Sequence, residues 1–272
     1  VQHSILPGFG LSLGITLAYL GAIVVLPLTA LAIRPWELGL GGVWHELAAP
    51  RVAAALKLSF GLSALAALVN APLGVLLAWT LTRYRFPGRR ILDALVDLPF
   101  ALPTAVAGIA LTAIYAPTGA LGSLAAKLGI KTAYSPLGIF IALVFIGLPF
   151  VVRSLQPVLQ DLDQEVEEAA TTLGANALQR AVRVILPALA PSLISGVSLA
   201  FARAVGEYGS VVFIAGNLPG KTEIAPLLIV IKLEQYDYAG AAAVGLAMVA
   251  LSFGSLALIN ALQLRLARRG RA

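Results

Sequence analysis

Six long apolar stretches constrain this chain more than any single motif does. They run roughly Phe9–Ile33, Val52–Leu81, Ile91–Tyr115, Pro136–Leu155, Ala188–Gly216 and Ala239–Leu264. A helix needs about 20 mostly apolar residues to cross the hydrocarbon core of a bilayer. Lipid offers no partner to backbone polar groups, so each stretch is expected to be helical. The period-2 alternation of a membrane β-barrel is absent. Composition agrees, with 59% of residues hydrophobic and only 12% charged, against about 25% charged in a soluble domain. The expected fold class is therefore all-α integral membrane, a single domain over 1–272 with six transmembrane helices. The first stretch lacks the basic lead and small-residue cleavage site of a signal peptide and is read as a retained helix.

Arginine and lysine set the expected orientation. Arg83, Arg85, Arg89 and Arg90 follow the second stretch; Arg153, Arg180 and Arg183 follow the fourth; Arg265, Arg268, Arg269 and Arg271 end the chain. In a six-span chain these segments share one side, and the positive-inside rule makes it cytoplasmic, with both termini on that side. The net charge of +6 is thus explained without nucleic acid, for which no aromatic-basic stripe is present. The chain has no cysteine and only His3 and His45, which points to no disulfide and no metal centre. No acid/base pair or nucleophile with its base stands at usable spacing, so the chain reads as non-enzymatic, with no cofactor of its own.

Residues 216–223, GNLPGKTE, end like a nucleotide-binding P-loop. That motif requires a glycine at 215, where the chain has Ala215, and a strand before the loop. The segment reads instead as a Gly/Pro turn on the outer side.

The loop over 156–187, QPVLQDLDQEVEEAATTLGANALQRAVRVILP, has the most internal design. Pro157 is expected to stop the preceding helix. Asp161 or Asp163 can cap a short helix, with Glu165, Glu167 and Glu168 near its positive end and Gly174 at its close. Asn176, with Gln179 three residues on, can cap a second helix. Leu178, Ala181, Val182 and Ile185 form its apolar face, and Pro187 is expected to end it. Ala169, Ala170 and Gly174 are small enough for another backbone to approach; the alternative on these residues is a solvated loop carrying cytosolic charges.

Here the residues carry a resemblance. E-A-A, three residues, Gly, nine residues, I-x-L-P is the signature of permease subunits of binding-protein-dependent ABC importers. The chain supplies Glu168, Ala169, Ala170, Gly174, Leu186 and Pro187, departing only by Val184 in the Ile position. DLPFALPTAVAGIAL (97–111) and FARAVGEYGSVVFIAGN (201–217) resemble the sulfate- and molybdate-type permeases. GKTEIAPLLIVIKLEQYDYAGAAAV (220–244) most resembles the T-type subunit of bacterial sulfate/thiosulfate importers. The resemblance implies a type I importer permease fold whose 156–187 loop is a coupling helix that docks on a separate ABC ATPase, where ATP is used. It implies a second, W-type permease subunit as heterodimer partner. It also implies a soluble substrate-binding protein at the loops 34–51, 117–135 and 217–238, and an inner-membrane location among lipid. A molybdate or tungstate permease is the alternative within the class. A self-sufficient secondary anion transporter or channel is the alternative outside it, and the inverted repeats that would favour it are absent.

Ionisable groups at membrane depth are costly and face a partner or a water-filled path. Arg203 and Glu207, four residues apart on one helical face, either neutralise each other within the fifth span or present Arg203 to a passing anion. Gly206 and Gly209 allow close packing or a bend there. Asp97 either caps the segment before Pro99 or pairs with Arg89 or Arg90, and Pro99 and Pro103 are expected to break the regular hydrogen-bond ladder there. Thr104, Asn70, Ser195 and Ser198 are candidate path-lining groups, against the blander reading that each bonds to a nearby carbonyl.

Overall fold

The computed structural model describes residues 8–269. Among these there is no strand; the elements in order are α1 Phe9–Leu20, α2 Leu26–Ile33, α3 Gly39–Ala48, α4 Pro50–Arg83, α5 Arg89–Val96, α6 Leu98–Ala101, α7 Thr104–Tyr115, α8 Ala120–Lys127, α9 Pro136–Asp161, α10 Gln164–Thr172, α11 Ala177–Arg180, α12 Leu186–Val205, α13 Val211–Ile214, α14 Ala225–Glu234 and α15 Tyr238–Arg269. Five helical runs, Phe9–Ala48, Pro50–Arg83, Pro136–Asp161, Ala177–Val205 and Tyr238–Ala261, are long and apolar enough to cross a membrane, and α7 with α8, bent by 43°, makes up to six.

The core is the three-way packing of α4, α9 and α12. The buried face of α4 reads Val52, Ala55, Ser59, Ser63, Ala66, Ala67, Asn70, Gly74, Ala78 and Leu81. Steps of three and four place them on one stripe, and their small size lets neighbouring backbones approach, which drives helix association where lipid removes the hydrophobic force. Val151 of α9 shows how tight the fit is. A Cβ on Gly74 of α4 would come within 2.8 Å of the Val151 Cβ, and one on Gly196 of α12 within 3.0 Å of its Cα. Val151 is thus seated between two glycines on two different helices. By contrast, α1 buries none of its residues.

Three expectations need correction. The stretch Ile91–Tyr115 is not one helix. Its first part, α5, carries Arg89, Arg90, Asp93 and the adjoining Asp97 and lies outside the long apolar spans; the third crossing is the bent α7–α8 pair. Pro99 sits inside the four-residue α6, and Pro103 holds an extended conformation ahead of α7, so no unbroken ladder can run through 97–103. The fifth span also ends early, at Val205, and resumes only as the short α13.

The prolines expected to stop helices do not. Pro157 lies inside α9, which continues to Asp161. Proline in a helix interior costs about 3 kcal/mol. Burying Leu155 and Leu159, both fully enclosed here, returns about 1.5–3 kcal/mol each, so packing wins. Pro187 lies at the start of α12, which is continuous with α11 through a π-helical turn, Ala181–Ile185. In that turn the Leu186 N–H bonds to the Ala181 carbonyl, five residues back. A second π turn, Gly21–Val25, precedes Pro27 in the same way. Widening the helix one turn ahead lets the proline ring clear the carbonyl it would otherwise strike.

Candidate functional site

The first feature is the knuckle between α9 and α12. Asp163 caps α10, its Oδ1 accepting from the Glu165 N–H at 3.2 Å. The end of α10 is closed by Gly174 at φ +85°: the Gly174 N–H bonds to the Thr171 carbonyl and the Ala175 N–H to the Ala170 carbonyl. This paired closure needs a left-handed residue, which glycine adopts without Cβ strain. The chain then turns into α11 through a reciprocal cap, in which Asn176 and Gln179 exchange bonds of 2.9 Å between side chain and backbone N–H. The turn between the two short helices is thereby held by local bonds.

The surface of the knuckle is apolar and open. Leu173 is 88% exposed and Leu178 73%, with Val166 and Val182 about half exposed. Glu168, Ala169, Gly174, Leu186 and Pro187 are exposed beside them, and Ala170 is half-buried. A Cβ on Gly174 would meet nothing within 4 Å. The apolar face foreseen for the second helix divides in two: Ile185 is buried in the core, while Leu178 and Val182 face outward. Leu173 was not singled out from sequence. Its signal was a leucine set directly before the closing glycine.

The second feature is a pair of chain breaks that abut. After Val205 the helix opens, and Glu207, 3% exposed, turns inward. Its Oε2 meets the Arg203 guanidinium at 2.6 Å, and its Oε1 accepts from the Ser210 backbone N–H at 2.8 Å and from the Ser210 hydroxyl at 3.0 Å. Arg203 keeps 35% of its side chain open. Against this segment lies the start of α7. A Cβ on Gly209 would collide with Thr104, the first residue of α7, and one on Gly108 would lie 2.5 Å from the Ser210 carbonyl oxygen. Arg203, Glu207 and Thr104 therefore belong to one neighbourhood.

Asn70 and Ser198 lie in the helix packing instead. Asn70 is fully buried and donates to the Val144 carbonyl at 3.1 Å, with Gly147 and Ala200 beside it. Ser198 donates to the Ile194 carbonyl of its own helix at 2.7 Å, and Ser195 to that of Pro191 at 3.0 Å. Asp97 makes no side-chain cap and pairs with neither Arg89 nor Arg90; both of its oxygens accept from Arg153, at 2.8 and 2.5 Å. Arg153 also donates to the Asp93 carboxylate at 2.7 Å, fastening α5 to α9.

At the opposite end from the knuckle, the GNLPGKTE segment is a tight turn. The N–H groups of Lys221, Thr222 and Glu223 all point at the Leu218 carbonyl, and Gly220 takes φ +71°. Glu223 is buried and accepts two bonds from Arg51, at 2.7 and 2.8 Å, while the Ala225 N–H at the start of α14 donates to Ser59 of α4 at 2.8 Å. Lys232 of α14 reaches Glu46 and Asp237, each at 2.7 Å. Burial works to lower the Lys232 pKa, but the bonds it donates to these two carboxylates prevail and raise it above the usual lysine range. The bond from Lys232 holds the Asp237 carboxyl below its usual range.

Comparison with known proteins gives the family and the fold. The chain matches the family described as binding-protein-dependent transport system inner membrane component over residues 70–271. It is 48% identical over 268 residues to the sulfate transport system permease protein CysT of Salmonella typhimurium, covering 98% of this chain and 97% of that one. It is 50% identical over 249 residues to the CysT protein of a Synechocystis species, covering 92% and 87%. A crystal structure of a bacterial ABC transporter that imports alginate shares the fold at a TM-score of 0.74 and 15% identity, covering 92% of each chain. The same kind of transporter, in complex with an alginate pentasaccharide-bound periplasmic protein, gives 0.77 and 16%, covering 94% and 93%. The chain is a multi-pass membrane permease with the type I ABC importer fold, and it belongs to the binding-protein-dependent transport system inner membrane component family.

Proposed function

We propose that this chain is the T-type permease subunit of an ATP-driven sulfate/thiosulfate importer, paired with a W-type permease in the bacterial inner membrane. The observation that carries the substrate is identity of 48% to a sulfate transport permease across 98% of the chain. The knuckle supports the coupling role. An exposed cluster of Val166, Leu173, Leu178 and Val182, framed by Glu168, Ala169, Ala170 and Gly174, suits insertion into a cleft on an ATPase that binds and hydrolyses ATP. In this reading the knuckle and both termini face the cytoplasm. A soluble binding protein delivers the dianion at the far end, where the 217–238 segment is braced by Arg51 and Lys232.

The path is proposed to run past the abutting breaks. Glu207 holds the Arg203 guanidinium in place while leaving part of it open to an anion. Closure of the ATPase pair on ATP draws the knuckles together and shifts the helices that carry these breaks. The test is ATP turnover by the assembled complex of ATPase, both permeases and binding protein. Sulfate-loaded binding protein should stimulate it and molybdate should not. Stimulation by molybdate alone would reassign the substrate.

A further inference from the structure

Among the described residues, helix α10 has few anchors. It packs on α11 and the π turn, and Arg180 donates to Thr171 at 2.7 Å, which ties it to the strand of chain leading into α12. Its other anchor is Arg83, the last residue of α4. Arg83 donates through Nη2 to the Glu167 carboxylate at 2.7 Å and to the Leu162 carbonyl at 3.2 Å. Its guanidinium carbon lies 5.5 Å from the centre of the Trp79 ring. The two side chains are only 13% and 22% exposed, so salt screens this pair less than an open one. One guanidinium therefore joins the end of α4, the residue that closes α9, and α10.

We propose that Arg83 is a positioning residue that clamps the coupling helix to α4, so that a displacement of α10 moves α4 and α12 together. This rests on the ATP-driven reading above. The packing gives the reason. Val151 of α9 is seated between Gly74 of α4 and Gly196 of α12. Moving α12 alone would shear that seat, and close-packed helices resist such deformation. Moving α4 and α12 as a unit leaves it intact. Without the clamp, a push on α10 reaches α4 only indirectly, through its chain links to α9 and α12.

The test uses the assembled complex in vesicles, with sulfate uptake and ATP turnover measured in the same preparation. Arg83→Gln and Glu167→Gln are each expected to raise the ATP hydrolysed per anion imported about fivefold or more, the lower range of a site–site coupling. Arg83→Lys should fall between these and the native protein. Exchanging the pair, Arg83→Glu with Glu167→Arg, should restore the ratio in part. Glu167 sits on a short helix outside the core, so Glu167→Gln decides the matter if Arg83→Gln fails to insert. A native ratio in Glu167→Gln, with binding-protein-stimulated turnover intact, overturns the clamp and leaves the importer reading standing. Absence of stimulated turnover in the native complex overturns the importer reading itself.

Discussion

Arg203 and Glu207 meet at 2.6 Å across one turn, at the point where the fifth span stops being a helix. Glu207 is buried and also held by Ser210, whereas Arg203 is partly open. Deleting one partner of a buried pair costs about 3–5 kcal/mol; the open third of Arg203 puts this pair at the low end. Arg203→Ala should therefore lower membrane abundance and transport, and Arg203→Lys should lower transport less. The double change Arg203→Ala with Glu207→Gln should recover abundance, measured by quantitative blotting, without recovering sulfate uptake. Recovery of both would leave the pair a packing role only.

Gly108 and Ser210 mark a point of close backbone approach between two helical segments. A Cβ at position 108 would lie 2.5–2.9 Å from the Ser210 backbone, which cannot step aside as a flexible side chain could. Gly108→Ala should cost about 1–3 kcal/mol through overpacking. Thermal unfolding of the purified chain should show the loss, and uptake should fall with it. Gly61→Ala, in open space inside α4, should leave uptake unchanged and raise stability by up to about 0.5–1 kcal/mol.

The exposed leucine at 173 predicts a partner. Covering such a side chain is worth about 1.5–3 kcal/mol, equivalent to roughly ten- to a hundredfold in affinity. Leu173→Asp should weaken association with the ATPase by that factor in a pull-down titration, with insertion unaffected. Unchanged affinity would remove Leu173 from the contact.

Gly174 separates backbone from interface effects. At φ +85° an alanine costs about 1–2 kcal/mol of left-handed strain, yet meets no neighbour. Gly174→Ala should therefore reduce uptake modestly, and Gly174→Asp should abolish it while the chain still assembles with the second permease. Native uptake by Gly174→Asp would contradict a docking role.

The Lys232 cluster predicts a flat pH response. The pKa of Lys232 is raised in the fold, so its stabilisation is complete below the unfolded value of about 10.4 and fades as pH rises through the folded value. That of Asp237 is lowered, so its contribution is complete above about 3.9 and fades as pH falls through the folded value. The stability difference between native protein and Lys232→Met should therefore hold constant from about pH 5 to pH 9. A difference that vanishes inside that window would mean that the cluster does not brace the far end.

The spans announced themselves because lipid demands apolar length, and α4, α9 and α15 follow hydropathy closely. The closing Gly174 and the Asn176–Gln179 cap of the knuckle are equally plain, since they act within a few residues of themselves, while the first cap is left between Asp161 and Asp163 and falls to Asp163. What sequence could not supply was competition between local and distant terms. Pro157 looked like a stop because the burial of Leu155 and Leu159 against other helices is invisible locally. Pro187 looked like one because a π turn leaves no composition signal. Arg83 and Glu167 are 84 positions apart, as Arg51 and Glu223 are 172 apart, and no spacing rule joins them. For Asp97 the sequence offers only a local cap or a nearby arginine, for the same reason, whereas Arg153 reaches it from another helix.

The most direct test of the account is anion flux into vesicles containing this chain alone, set against the same chain with its ATPase, the second permease and sulfate-loaded binding protein. The account predicts no sulfate movement in the first case, with or without an ion gradient, and ATP-dependent accumulation in the second. Gradient-driven sulfate flux through the isolated chain would contradict it, because the knuckle would then have no motor to answer to.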